Sequence, residues 1–446
     1  MRLVLKVLLF VPAAGALMLA GGLLLNVSAV SKPSARQPAP ANSVAQQQLF
    51  SQGRTVFRYE TFGDQAFWGG ALQLHKAIEG SKLGGVGPGL SPKNALAAGL
   101  KVDAAALPRA VVQAIKQGKV DLNSPKTTLA LIKLNAVVGV KGFFNSKGTL
   151  RSVGLTCAVC HSTVDNSFAK GIGRRLDGWP NRDLNVGAVI SLAPNLKPVT
   201  DLLGADEATV KKVLASWGPG KFDAKLFLDG KAFMPNGKSA ATLIPAAYGL
   251  NGVNLATYTG FGQMTYWNAF VANLEMHGQG NFFDERLNNP IQFPIAAKAG
   301  FFNVRHSPDL VTPKLGALQY YQLGLKPPVP PKGSYDLAAA ARGKVLFDGK
   351  AKCASCHVPP TYSEPGNNLH KPADICTDDF EASRSPTGAY RTTPLRGLWA
   401  RAKGGFYHDG RYATLGAVVD HYNSCFGLNL TNRERSDLVQ YLKSIH

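Results

Sequence analysis

The sequence predicts a mainly α chain of two domains, the first enlarged by an N-terminal extension, and three observations carry that expectation. Apolar residues recur at helical spacing, with capping residues ahead of several runs. A proline run, Lys326-Pro327-Pro328-Val329-Pro330-Pro331-Lys332, divides the chain. One five-residue motif stands on each side of it, as Cys157-Ala158-Val159-Cys160-His161 and as Cys353-Ala354-Ser355-Cys356-His357. Two thiols a turn apart can reach both edges of one porphyrin while the imidazole that follows meets the iron, and Cys-x-x-Cys-His is the attachment pattern of c-type haem. With only 6 cysteines and 9 histidines in the chain, two chance occurrences are negligible. Each half is therefore expected to be a cytochrome c-type haem domain. The chain would carry two covalently bound haem c groups, with His161 and His357 as axial iron ligands.

The chain has 446 residues, 45% hydrophobic and 17% charged, a globular balance that allows two or three cores. Its net charge of +21 is less ordinary and favours acidic partners or anionic lipid. No nucleic-acid motif accompanies the charge, so nucleic acid is not an expected partner. Met1-Arg2-Leu3-Val4-Leu5-Lys6 precedes an apolar run to Leu25 and the small residues Val27-Ser28-Ala29. That is the layout of a signal peptide over residues 1–29, cut after Ala29, or of an uncleaved anchor, since the run is long enough to span a bilayer. Either way the body of the chain is expected in the periplasm, free or tethered to the inner membrane.

Residues 30–48 are rich in Pro, Ala, Ser and Gln without apolar periodicity; they read as a disordered tether, with order beginning near Leu49. The first haem domain with its extension then spans 49–325. A helix ending near Glu79 carries Leu72, Leu74 and Ile78, and the glycine-dense stretch 80–89 is a loop. Helices are expected over 103–116 and 124–136, the second opened by Ser124 as cap and Pro125 in its first turn. A small hairpin around Asn145-Ser146-Lys147-Gly148 leads into the first motif. Beyond a loop-rich stretch, helices resume over 207–216 and 266–276. The proline run makes a stiff linker over 326–333. The last domain, 334–446, opens with a helix from Asp336 through Phe347. It closes on Thr431-Asn432-Arg433-Glu434, a capping box ahead of Leu438, Tyr441, Leu442 and Ile445. These two terminal helices should cross at one haem edge. Cys376 and Cys425 remain, and in an oxidising compartment two leftover cysteines of one small domain more often pair than stay free.

Tyr390-Arg391-Thr392-Thr393-Pro394-Leu395-Arg396-Gly397-Leu398, followed by Phe406-Tyr407-His408-Asp409-Gly410 and Thr414-Leu415, resembles the C-terminal domain of bacterial dihaem cytochrome c peroxidases. Relatives of that family include the enzyme that matures methylamine dehydrogenase and, more distantly, the dihaem rubber oxygenases. The resemblance is specific across 338–446, looser across 156–278 and absent before about 125. It implies a six-coordinate relay haem and a second haem with an open face where peroxide is cleaved. The relay haem's distal position falls on Tyr422, on the apolar face Leu415, Val418, Val419, Tyr422 of a helix; His421, off that face, is the second choice. Leu274-Glu275-Met276-His277-Gly278 is similar to the family's Glu-Met segment, which implies that the Glu275 carboxylate moves the peroxide proton. No histidine stands between His161 and His277, so the first haem is either open or capped by Met276 or His277. The resemblance also implies a calcium between the domains, on Asn185, Thr392 and Pro394. Trp179 and Trp267 are candidates for the space between the haems.

The function implied is that of a periplasmic dihaem peroxidase-like oxidoreductase. A small acidic redox protein, a cytochrome c or a cupredoxin, would give electrons to the haem at His357. These would pass to the haem at His161, where hydrogen peroxide is reduced. The alternatives are a non-catalytic dihaem electron-transfer protein, and a dihaem oxygenase or maturation enzyme acting on an organic or protein substrate.

Overall fold

The helix Val44–Tyr59 lies along the helix Thr312–Gly324 in the computed structural model, which describes residues 43–446. The signal or anchor segment and most of the expected tether lie outside the described residues. Order begins before Leu49, because Phe50, Gly53 and Phe57 share one helical face and that face is covered. A Cβ on Gly53 would fall 1.9 Å from the Ala317 carbonyl oxygen, so glycine is what lets the two helices touch.

The fold is mainly α, with strands that pair only in twos among the described residues. Val140–Phe144 and Leu150–Leu155 form the expected hairpin ahead of the first motif, closed by Asn145 Oδ1 accepting from the Thr149 amide at 2.9 Å. The helix expected from residue 103 starts only at Arg109. Pro108 disfavours helical geometry in the residue before it, and Leu107 is accordingly extended, with φ −88° and ψ 133°. Ser124 and Pro125 open the helix Pro125–Lys133 where expected. The helices Val186–Ser191, Lys197–Leu203 and Thr312–Gly324 were not anticipated.

In the last part of the chain Leu337–Asp348 crosses Asn432–Ser444. At the crossing a Cβ on Gly343 would stand 2.1 Å from the Asp437 carbonyl oxygen. Arg342 clasps the Asp437 carboxylate through two bonds of 2.7 and 2.8 Å. Thr431 and Glu434 form the expected capping box.

The proline run lies against the rest of the chain on one side, with Pro330 buried and Val329 exposed. Trp399 Nε1 donates to Pro328 O at 3.1 Å, and Tyr248 Oη donates to Gly397 O at 2.7 Å. Residues 44–446 form one compact unit in which both motif-bearing halves take part. The halves are joined most deeply by charge. Arg384, fully buried, donates to Asp229 at 2.7 and 2.9 Å and to Asp223 at 3.2 Å, while Lys225 pairs with Glu381 beside it. No helix among the described residues is long and apolar enough to cross a membrane.

Candidate haem sites

The first motif sits where the hairpin strand Leu150–Leu155 ends and the short helix Ala158–His161 begins. Gly139 permits the approach, since a Cβ there would meet the Val159 amide nitrogen at 2.1 Å. His161 Nδ1 lies 3.1 Å from Pro245 O. Donation to that carbonyl fixes the tautomer and leaves Nε2 as the free ligand atom. Burial lowers the ring to about 4, so it stays neutral, as a metal ligand must.

Cys157, Cys160 and His161 border a cavity of about 280 Å³ whose wall is mostly apolar and aromatic, with Phe67, Trp68 and Trp267 among its members. Both thiols are unpaired, and burial pushes each up to about 12. A redox-active Cys-x-x-Cys needs a depressed thiol value, so these cysteines suit attachment rather than disulfide exchange. A flat apolar macrocycle beside two thiols and an oriented imidazole fits this donor set.

Glu275, Met276 and His277 face the same cavity. They follow a wide π turn over Val271–Glu275, in which the Met276 amide reaches back to Val271 O at 2.8 Å. Such turns are uncommon and cluster at functional sites. Glu275 Oε2 is buried without a partner, and burial with the neighbouring Asp223 charge raises its carboxyl well above the ordinary carboxylate value. Met276 packs into the core beside Phe62 and Leu318, its carbonyl accepting from Trp68 Nε1 at 3.1 Å. His277 has φ +59° and stacks on Phe67 with ring centroids 3.6 Å apart; burial lowers it to about 4.

The second motif forms a short turn, Cys353–Ser355, against the core of Phe347, Leu398, Leu415 and Val419. His357 Nδ1 lies 3.0 Å from Tyr362 O, the same arrangement as His161, and burial again lowers the ring. Cys353 and Cys356 are unpaired; burial pushes Cys353 up to about 11. Tyr422, on the helix Leu415–Cys425, lies near Cys353 and Cys356 and hydrogen-bonds Tyr407. Its helix neighbour His421 is turned to Tyr412 and to the backbone of Cys376. Of the two distal candidates, Tyr422 therefore lies on the motif's side. Cys376 and Cys425 are joined as a disulfide, Cα to Cα 6.2 Å.

The calcium candidates are engaged separately. Asn185 Oδ1 caps its own helix by accepting from the Ala188 amide at 2.9 Å, while Thr392 Oγ1 donates to Glu364 Oε2 at 2.6 Å. Asn185 is thereby withdrawn from a set with Thr392 and Pro394. Glu364 and His370, unnoticed in the sequence, stand with Cys356 so that their ligand atoms lie within 4.8 Å of one another. Trp267 faces the cavity, whereas Trp179 packs edge-on against Tyr248 and Trp399. Also missed were Arg182, Arg391 and Arg401, each of which has at least one buried guanidinium nitrogen without a partner. Arg391 stands within the segment Tyr390 to Leu398 already singled out, but nothing local in the sequence joins it to Arg182.

No family model matches this chain. Among curated proteins it is 33% identical over 128 residues to methylamine utilization protein MauG of Methylorubrum extorquens, a match that takes in 24% of this chain. The chain thus spans about a third (35%) of the length of that relative. Among solved structures, a MauG-like protein associated with microbial copper homeostasis is similar over 50% of this chain and 79% of its own, at 18% identity and a TM-score of 0.32. Hydrazine synthase of Kuenenia stuttgartiensis is similar over 50% of this chain and 85% of its own, at 16% identity and a TM-score of 0.26.

Proposed function

We propose that this chain, which resembles the MauG and dihaem cytochrome c peroxidase-like superfamily, is an exported dihaem oxidoreductase that reduces hydrogen peroxide at the site bordered by His161. One observation carries the reading: Glu275, with its Oε2 buried and unpartnered, in the wall of the cavity beside Cys157, Cys160 and His161. Haem, when bound there, supplies the iron chemistry that breaks the oxygen–oxygen bond.

The chain's own residues do the rest. Cys157 and Cys160 tether, and His161, held by Pro245 O, ligates. The apolar wall excludes water and so strengthens every charge interaction within. Glu275, whose acid form burial favours, gives peroxide a proton and takes up another from its surroundings for the next turnover. Reduction of one peroxide to two waters consumes two protons and two electrons. The electrons would enter through the second motif, with Tyr422 as distal ligand at His357. A small acidic cytochrome c or cupredoxin as donor suits the net charge of +21. Location in the periplasm, by a cleaved signal or a retained anchor, is supported by the sequence of residues 1–29 and by the Cys376–Cys425 disulfide. A calcium site is no part of the proposal, given the capping role of Asn185.

The test is peroxide turnover with a reduced donor. Wild type should turn over, and Glu275→Gln should fall by about 100-fold or more in kcat at unchanged haem content; equal rates would remove Glu275 from the mechanism. A second reading, a carrier of electrons without catalysis, draws on Met276 and His277 facing the same cavity. Low-temperature electron spin resonance of the resting ferric protein separates the two: a high-spin ferric signal supports catalysis, and two low-spin ferric signals with no high-spin component support the carrier.

A further inference from the structure

Arg182 comes from the first half of the chain, Arg391 and Arg401 from the last domain; Arg401 lies near both of the others, and Arg391 lines the first cavity. Arg182 is 8% exposed, and its Nε and Nη1 are buried without a hydrogen-bond partner. Arg391 Nη1 and Arg401 Nε are likewise buried and unpartnered. What bonds these two side chains make are to neutral carbonyls: Arg391 Nε donates to Thr257 O, and Arg401 Nη2 to Pro394 O at 2.7 Å.

Among the described residues no carboxylate pairs with any of the three. The nearest acid in sequence, Asp183, is taken by Lys101 and Lys403. The other polar side chains felt by Arg182 are the phenols of Tyr248 and Tyr258. Arg401 acts on both companions as a like charge, and burial together with that charge pushes Arg391 down to about 10. Cations buried without counter-charge are costly and persist where an anion completes them. Guanidinium groups present forked donors that match carboxylate oxygens, which an ammonium group cannot do. The group that the adjacent motif would tether carries two carboxylates of its own.

We propose that Arg182, Arg391 and Arg401 form the carboxylate seat for the propionates of the haem attached at Cys157 and Cys160. The inference rests on the haem reading above and adds to it which residues orient the macrocycle and set the charge around it. Removing a cation from this seat disfavours the reduced, less positive iron, so the reduction potential of that haem should fall.

The test uses the holoprotein, with haem content measured first. Arg182→Gln and Arg391→Gln should lower the potential of the first haem and shift its propionate bending band in resonance Raman spectra. Arg182→Lys and Arg391→Lys should restore the potential, which depends on charge, but not the band, which depends on the fork. Potential and band both unchanged in Gln variants that retain two haems would overturn the proposal. Wild type titrated with inorganic phosphate covers the case in which Gln variants do not fold. An unchanged Soret band is expected, and a saturable shift would mean that the seat is open to free anions and not held by propionates. A wild-type protein lacking haem at Cys157 and Cys160 would overturn this proposal and the haem reading together, whereas unmoved potentials in a fully loaded protein would overturn this one alone.

Discussion

Asp64 is fully buried, with Oδ2 accepting from the Leu155 amide at 3.1 Å and Oδ1 unpartnered. Burial is the largest cause that raises its carboxyl, to about 9. The folded protein therefore keeps a proton on Asp64 that the unfolded chain releases above about 4. Its contribution to stability is full below that value and is lost as pH rises toward about 9. Between those limits wild type should lose up to about 1.4 kcal/mol per pH unit relative to Asp64→Asn, which has no such proton. Urea unfolding of both proteins at pH 5 and pH 8 checks this, and parallel curves would refute it. Glu275 obeys the same sign. Burial favours its acid form and moves the loss of that proton toward higher pH than for an ordinary carboxyl, so peroxide turnover should fall as pH rises through that loss, and Glu275→Gln should abolish that limb. The pH profile of kcat decides.

Close helix contact depends on single glycines. Gly343→Ala would drive a methyl into the Asp437 carbonyl at the crossing of Leu337–Asp348 and Asn432–Ser444, and should cost about 2 kcal/mol in chemical unfolding. The disulfide closes a loop with a sequence separation of 49, so Cys376→Ser with Cys425→Ser should cost about 4 kcal/mol on the loop-entropy model. Much at this scale is legible in the sequence where the signal is local. The hairpin before Cys157, the Ser124-Pro125 opening and the Thr431–Glu434 capping box each need only a few neighbouring residues. Pro108 was equally local, and its effect on Leu107 explains the late start at Arg109. The helix Val44–Tyr59 was hidden by its Gln-rich composition, because what stabilises it is the surface of Thr312–Gly324 far along the chain. The π turn that brings Glu275 to the cavity was hidden for the same reason: its sequence, Val271 to Glu275, would serve equally in an ordinary α-helix.

At the scale of the whole molecule, the motifs mark where haem is expected, and not how the two halves bind each other. That junction is a buried set of charges from both sides of the proline run, with Arg384 between Asp223 and Asp229 and Lys225 against Glu381. Arg384→Leu would leave two buried carboxylates unpaired and should destabilise the protein by about 3–5 kcal/mol, measured by chemical unfolding. Because Asp223, Lys225 and Glu381 also border the cavity, the junction and the proposed site are one structure, and damage to the first should reach the second. The most direct measurement of the central claim is the intact mass of the denatured, purified polypeptide, followed by peptide mapping. The expected result is an added mass of two haems, one on the Cys157–Cys160 peptide and one on the Cys353–Cys356 peptide; a chain carrying one haem or none would contradict it.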